Sequence, residues 1–233
     1  MTSPEDLRLL AQAVTFGGWR WTGNETLIDL ITTATNALNG ALLARHLDRY
    51  KQFTVVGIIL MAILGGLSGG VIRDVMLNAA PVALTNPAYL TVSVLAGSMG
   101  YRVAYARGAR FRTGWLQVMT AFSLPWYAVA GAQKAADHGL PAAGILAVAT
   151  VAATAGFYLI DLSSGVTPTH FVRSEWFVGT AVLTGAAWIA CRAAGLGTWG
   201  AALLAVAVGF GFRLLATHRR WEEPLASRPT GST

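Results

Sequence analysis

Residues 65–74 read Gly-Gly-Leu-Ser-Gly-Gly-Val-Ile-Arg-Asp, and they lie inside an apolar stretch long enough to cross a bilayer. Four glycines loosen a helix, and an adjacent Arg-Asp pair is costly beside hydrocarbon. In lipid, backbone polar groups need internal partners and intramembrane charge faces protein or water, so other helices must enclose this segment or it must line a hydrated path. Composition agrees: 54% of residues are hydrophobic and 12% charged, against roughly 25% charged in soluble domains. The fold class expected is an all-α integral membrane protein.

At about 20 apolar residues per crossing, seven spans are expected, at 26–44, 53–77, 87–106, 113–135, 141–162, 172–191 and 197–216. The second is the longest, and its glycine pairs predict a tilted or interrupted helix. Pro125 predicts a kink in the fourth. Twelve Lys and Arg residues fall on the side of the 1–2, 3–4 and 5–6 loops and the C-terminus, and four on the other. The positive-inside rule then puts the N-terminus outside and the C-terminus in the cytoplasm. Residues 1–25 read as an extracellular N-terminal segment without a clean signal core, and 217–233 as a disordered cytoplasmic tail. The basic residues sit between apolar segments rather than on one amphipathic face, which argues against nucleic acid as a partner and for membrane lipids. Cys191 is alone, so no intramolecular disulfide forms.

Displacing the chain by 87 residues brings Gly57 onto Gly144, Gly69 onto Gly156, Asp74 onto Asp161, Pro81 onto Pro168 and Tyr89 onto Trp176. Upstream, a further two-residue shift places Arg45 on Lys134 and Asp48 on Asp137. Spans 1–3 (26–106) and 4–6 (113–191) therefore read as two copies of one three-helix unit, with the seventh helix at 197–216 outside the repeat as a scaffold or oligomer contact. Three crossings are an odd number, so the copies are inverted, and inverted repeats place a solute path near the midplane.

Gly65, Gly66, Gly69 and Gly70 share one helical face. Such a face either admits another helix closely or opens so that carbonyl oxygens meet a cation. Arg73 and Asp74 point about 100° apart on a helix, which predicts a separate partner for each. Either Arg73 caps carbonyls freed at the glycines while Asp74 anchors a neighbouring helix, or the two guard one mouth of a cation path. In the second copy Ile160 replaces the arginine while Asp161 remains. Thr35, Asn36, Asn39, Ser68, Gln117, Ser123 and Thr154 lie at membrane depth and can line a route or bond between helices. Lys134, Trp115, Trp126, Tyr127 and Trp176 read as interfacial anchors. Gly66 to Gly70 satisfies a serine-nucleophile pattern, but His46, His138, His170 and His218 all lie at span ends, in loops or in the tail, so no base stands at the depth of Ser68. No enzyme, cofactor or metal site is expected.

The stretch from Asn36 to Leu90, with Gly-Gly-Val-Ile-Arg-Asp at 69–74, Pro81 and Pro87-Ala88-Tyr89-Leu90, resembles the prokaryotic trimeric intracellular cation (TRIC) channel family. Asp161, Pro168 and Phe171 to Phe177 resemble its other half. The resemblance implies seven transmembrane helices in two inverted repeats plus one, a homotrimer in the plasma membrane, and a pore in each protomer for monovalent cations, potassium or sodium. Pore and gate residues then fall on Gly65, Gly66, Ser68, Gly69, Gly70, Arg73, Asp74, Thr154, Gly156 and Asp161. Some relatives of this domain are regarded as carriers of glycine or another small neutral solute, which is the alternative.

Overall fold

The computed structural model describes residues 23–44, 53–106, 109–168 and 176–224. Among them are eight helices and no strand: α1 (Gly23–Ala44), α2 (Val55–Met76), α3 (Val82–Thr85), α4 (Pro87–Ala106), α5 (Ala109–Asp137), α6 (Ala142–Ser163), α7 (Phe177–Ala193) and α8 (Thr198–Arg219). Apart from the single turn of α3, these are the seven spans expected. By length and composition α2, α6, α8 and α1 from Leu27 can each cross a membrane, and α7 is apolar but shorter. The start expected for the sixth span at 172, like residues 1–22, 45–52, 107–108 and 225–233, lies outside the described residues.

The two copies end their central helices in the same way. The Ala79 N–H bonds the Asp74 carbonyl at 2.8 Å with Asn78 left-handed at φ 52°, and the Val166 N–H bonds the Asp161 carbonyl at 3.0 Å with Gly165 at φ 70°. Glycine and asparagine enter that region at least cost, which stops each helix at its counterpart position. Within the copies α1 packs on α2 and α4, and α5 on α6 and α7. The copies meet through α2 against α6 and α1 against α5.

Glycine contacts make the inverted relation visible. A Cβ on Gly69 would stand 2.5 Å from the Ala152 carbonyl oxygen, and one on Gly156 would stand 3.0 Å from that of Gly65. Both pairs are counterparts at an interval of 87 residues, so each copy offers the other the same contact across a pseudo-two-fold axis. Upstream the register differs from the one expected. Gly40 lies against Met61 and Ala62 as Gly131 lies against Val148 and Ala149, so α1 and α5 correspond at 91 residues rather than 89. Of the charges used to align them, Arg45 and Asp48 lie outside the described residues, and Lys134 of α5 is held by Asp74 of α2.

The interruption expected in α2 is absent. The helix runs unbroken from Val55 to Met76, because neighbours fill the space that its glycines leave. Gly65 meets the Asn36 carbonyl and Ile160, Gly66 meets Ser93 and Ala37, and Gly69 meets Ala152 and the Tyr127 ring. Helices in lipid have no hydrophobic drive toward one another, so such close approach is a main source of association. The long helix α5 runs through Pro125, and Gly209 of α8 lies against that ring. Trp126, Val129 and Trp188 pack with Ala201, Ala202 and Ala205, which seats α8 on α5 and α7. Trp126 and Tyr127 are thus buried rather than interfacial, whereas Trp176 is exposed.

Candidate functional site

The end of α2 places an arginine and an aspartate in the protein interior, with Arg73 only 3% exposed and Asp74 only 1%. Arg73 forks onto Asp29 of α1, its Nη1 and Nη2 donating to the two carboxylate oxygens at 2.6 and 2.9 Å. Its Nε donates to Asp74 Oδ1 at 2.8 Å. The expectation that these sequence neighbours cannot pair is therefore corrected: the planar guanidinium serves one acid with its fork and the other with its inner edge. Arg73 donates to Asp29 and Asp74 rather than to a carbonyl of α2.

Lys134 crosses from α5 to bond the same Asp74 oxygen at 2.8 Å, and the Val82 N–H of α3 donates to Oδ2 at 3.0 Å. Lys134 is an ion-pair partner tying the second copy to the first, not an interfacial anchor. Two cations thus face two carboxylates. Burying these charges is tolerable because each is paired and its carboxylate oxygens accept further bonds.

Beside this cluster is a cavity with room for about one water molecule, lined by Asp29, Thr32, Thr33, Gly70, Arg73 and Tyr89 among others. The Tyr89 hydroxyl approaches Asp29 at 3.5 Å. Tyr127 also lines the cavity, and its hydroxyl donates to the Gly66 carbonyl.

The residues expected from sequence divide into three places. Gly70, Arg73 and Asp74 meet at the charged cluster. Gly65, Ser68, Gly69 and Gly156 gather where α2 crosses α6, with the Ser68 hydroxyl turned onto the Leu64 carbonyl of its own helix, whereas Gly66 faces Ala37 and Ser93 and lines the cavity beside the charged cluster. Thr154 bonds the Thr150 carbonyl at 2.9 Å, and Asp161 is buried at the end of α6; neither joins the charged cluster. Ile160, the counterpart of Arg73, instead packs its Cδ1 onto Gly65. Thr35 and Ser123 bond carbonyls of their own helices, while Thr120 donates to Asn39 Oδ1 at 3.1 Å. The side chains of Gln117 and Trp115 lie outside the described residues. Sequence reasoning missed Asp29, Tyr89 and Tyr127. An acid inside the first span was the available signal for Asp29; Tyr89 was marked only by the repeat and the family stretch, and Tyr127 only as an interfacial anchor.

The family described as Glycine transporter matches residues 26–105 and 117–193, one block on each three-helix copy. The TRIC trimeric intracellular cation channel orthologue from Rhodobacter sphaeroides superposes with a TM-score of 0.76 at 27% identity, over 84% of this chain and 98% of that one. A second solved TRIC cation channel superposes at 0.74 with 21% identity, over 88% and 98%, and a crystal structure of a prokaryotic TRIC channel at 0.76 with 19%, over 84% and 97%. A UPF0126 membrane protein of Streptomyces coelicolor is 35% identical over 78 residues, which span 33% of this chain and 34% of that relative. The family match covers more than half of the sequence and the fold is shared over 84% of the chain or more, so the chain belongs to the prokaryotic TRIC channel family, the one described as Glycine transporter.

Proposed function

We propose that this chain is a cation channel passing potassium or sodium through a pore within each protomer of a homotrimer in the plasma membrane. The observation that carries the reading is the fold shared over 98% of the Rhodobacter sphaeroides channel. The route runs between α1, α2, α5 and α6, from the Asp29–Arg73–Asp74 cavity, past the glycine crossing at Gly65, Gly66, Ser68, Gly69 and Gly156, to the end of α6 with Thr154 and Asp161. Asp74 and Asp161 attract cations at the two mouths, and Arg73 restrains the first. The N-terminus is outside and the C-terminus cytoplasmic. Residues 26–106 and 113–191 act as the two functional halves, and 197–216 supports them.

Purified protein in planar bilayers under a potassium chloride gradient tests this. Discrete openings reversing near the potassium equilibrium potential are expected. Assembled Arg73→Ala and Asp74→Asn proteins with wild-type conductance, selectivity and gating would remove the proposed mouth. The family description favours one second reading, a carrier of a small neutral solute such as glycine. Saturable uptake into liposomes without unitary currents would put it first.

A further inference from the structure

The 91-residue interval between α1 and α5 makes Asn36 and Tyr127 counterparts. Each crosses to the other copy. The Tyr127 ring lies against Gly69 of α2, and the Asn36 carboxamide faces Gly156 of α6, with Nδ2 3.8 Å from where a Cβ would stand. Gly69 and Gly156 are themselves counterparts, so the pair straddles the axis on which the copies meet.

Their polar groups are unequally placed. Tyr127 is 2% exposed and its hydroxyl holds the Gly66 carbonyl, with Thr33 and Asn36 beside that hydroxyl. Asn36 is 3% exposed, and its carboxamide oxygen has no hydrogen-bond partner among the described residues. A buried oxygen without a partner is costly, which invites a ligand. The oxygens gathered here, from Asn36, Gly66, Thr33 and Tyr127, are all neutral. The nearby carboxylates of Asp29 and Asp74 are engaged by Arg73 and Lys134. Neutral carbonyl and hydroxyl oxygens suit a partly dehydrated monovalent cation, whereas a divalent ion calls for carboxylates.

We propose that the Asn36 carboxamide oxygen and the Gly66 carbonyl form the point where a permeating monovalent cation exchanges water for protein oxygen, and that Tyr127 closes this point by occupying Gly66. The proposal deepens the channel reading and rests on it. Release of the Tyr127 hydroxyl frees the Gly66 oxygen and joins the Asp29 cavity to Asn36; its return closes the route with a ring and a hydrogen bond.

Tyr127→Phe keeps the ring and deletes the bond. In planar bilayers its open-to-closed ratio rises by roughly tenfold, the effect of one net hydrogen bond. Asn36→Leu lowers unitary potassium conductance severalfold and shifts the potassium–sodium bi-ionic potential. Both variants assembling like wild type and behaving like it would overturn the proposal while leaving the channel reading in place. A silent wild type would instead remove the channel reading, and this inference with it. Should Asn36→Leu fail to assemble, Tyr127→Phe decides alone, and an unchanged open-to-closed ratio overturns the proposal.

Discussion

The ends of α2 and α6 share a backbone and differ in chemistry. Both helices stop on a left-handed residue after an aspartate whose carbonyl accepts a bond from five residues on. Yet Arg73 at the first end ties together Asp29 and Asp74, with Lys134 completing the cluster, while Ile160 at the second lays a hydrocarbon side chain onto Gly65. The inverted repeat is kept by small residues at backbone contacts, whose geometry must match on both sides. Side chains facing the interior are free of that requirement. A symmetric scaffold therefore carries an ion-paired arginine at one position and an isoleucine packed on glycine at its counterpart.

The comparison breaks most sharply at Arg73. Arg73→Ala leaves Asp29 without its bidentate partner and Asp74 with Lys134 alone, so thermal unfolding in detergent should show a loss of about 3–5 kcal/mol, the usual consequence of halving a buried ion pair. Arg73→Met combined with Asp29→Leu removes both charges of the fork and should recover much of that loss. If the single variant unfolds like wild type, the cluster adds little stability and the contrast between the two ends is one of function alone. At the other end Ile160→Ala removes a fully buried side chain and should destabilise by about 2–4 kcal/mol. Its effect should not depend on salt or on Lys134, and a double-mutant cycle with Lys134→Ala should be additive.

The seven spans, the inverted copies and the 87-residue register were legible because apolar length and the glycine, aspartate and proline positions are local signals. The 91-residue register of α1 on α5 was not, because the contacts of Gly40 with Met61 and of Gly131 with Val148 decide it, and those positions carry no charge to align. The glycine run was legible as a site and misread as a break: a sequence shows missing side chains but not the neighbours that replace them. Arg73 and Asp74 were found, whereas Asp29 and Lys134, 44 residues before and 60 residues after their partners, emerge only once three helices are assembled. Tyr127 was read as an interfacial anchor because an amphipathic ring suits a membrane boundary as well as a core, and only assembly shows it buried against Gly69.

The smallest expected effects separate adjacent glycines of one helix. A Cβ on Gly69 would stand 2.5 Å from the Ala152 carbonyl and 2.6 Å from the Tyr127 ring, whereas one on Gly70 would find only the Arg73 guanidinium, 3.9 Å away. Gly69→Ala should therefore overpack the α2–α6 crossing and destabilise by about 1–3 kcal/mol. Gly156→Ala, whose tightest contact is 3.0 Å, should fall below that, near about 1 kcal/mol. Gly70→Ala enters the cavity side and gains helix propensity, so its change should stay within about 1 kcal/mol and be stabilising. Melting temperatures of the three variants in one detergent rank them. An order of Gly69, Gly156 and Gly70 supports glycines retained mainly for contact across the axis. A Gly70→Ala protein as damaged as Gly69→Ala would mean that α2 needs flexibility along its whole glycine face, and the unbroken helix would then be one state of two.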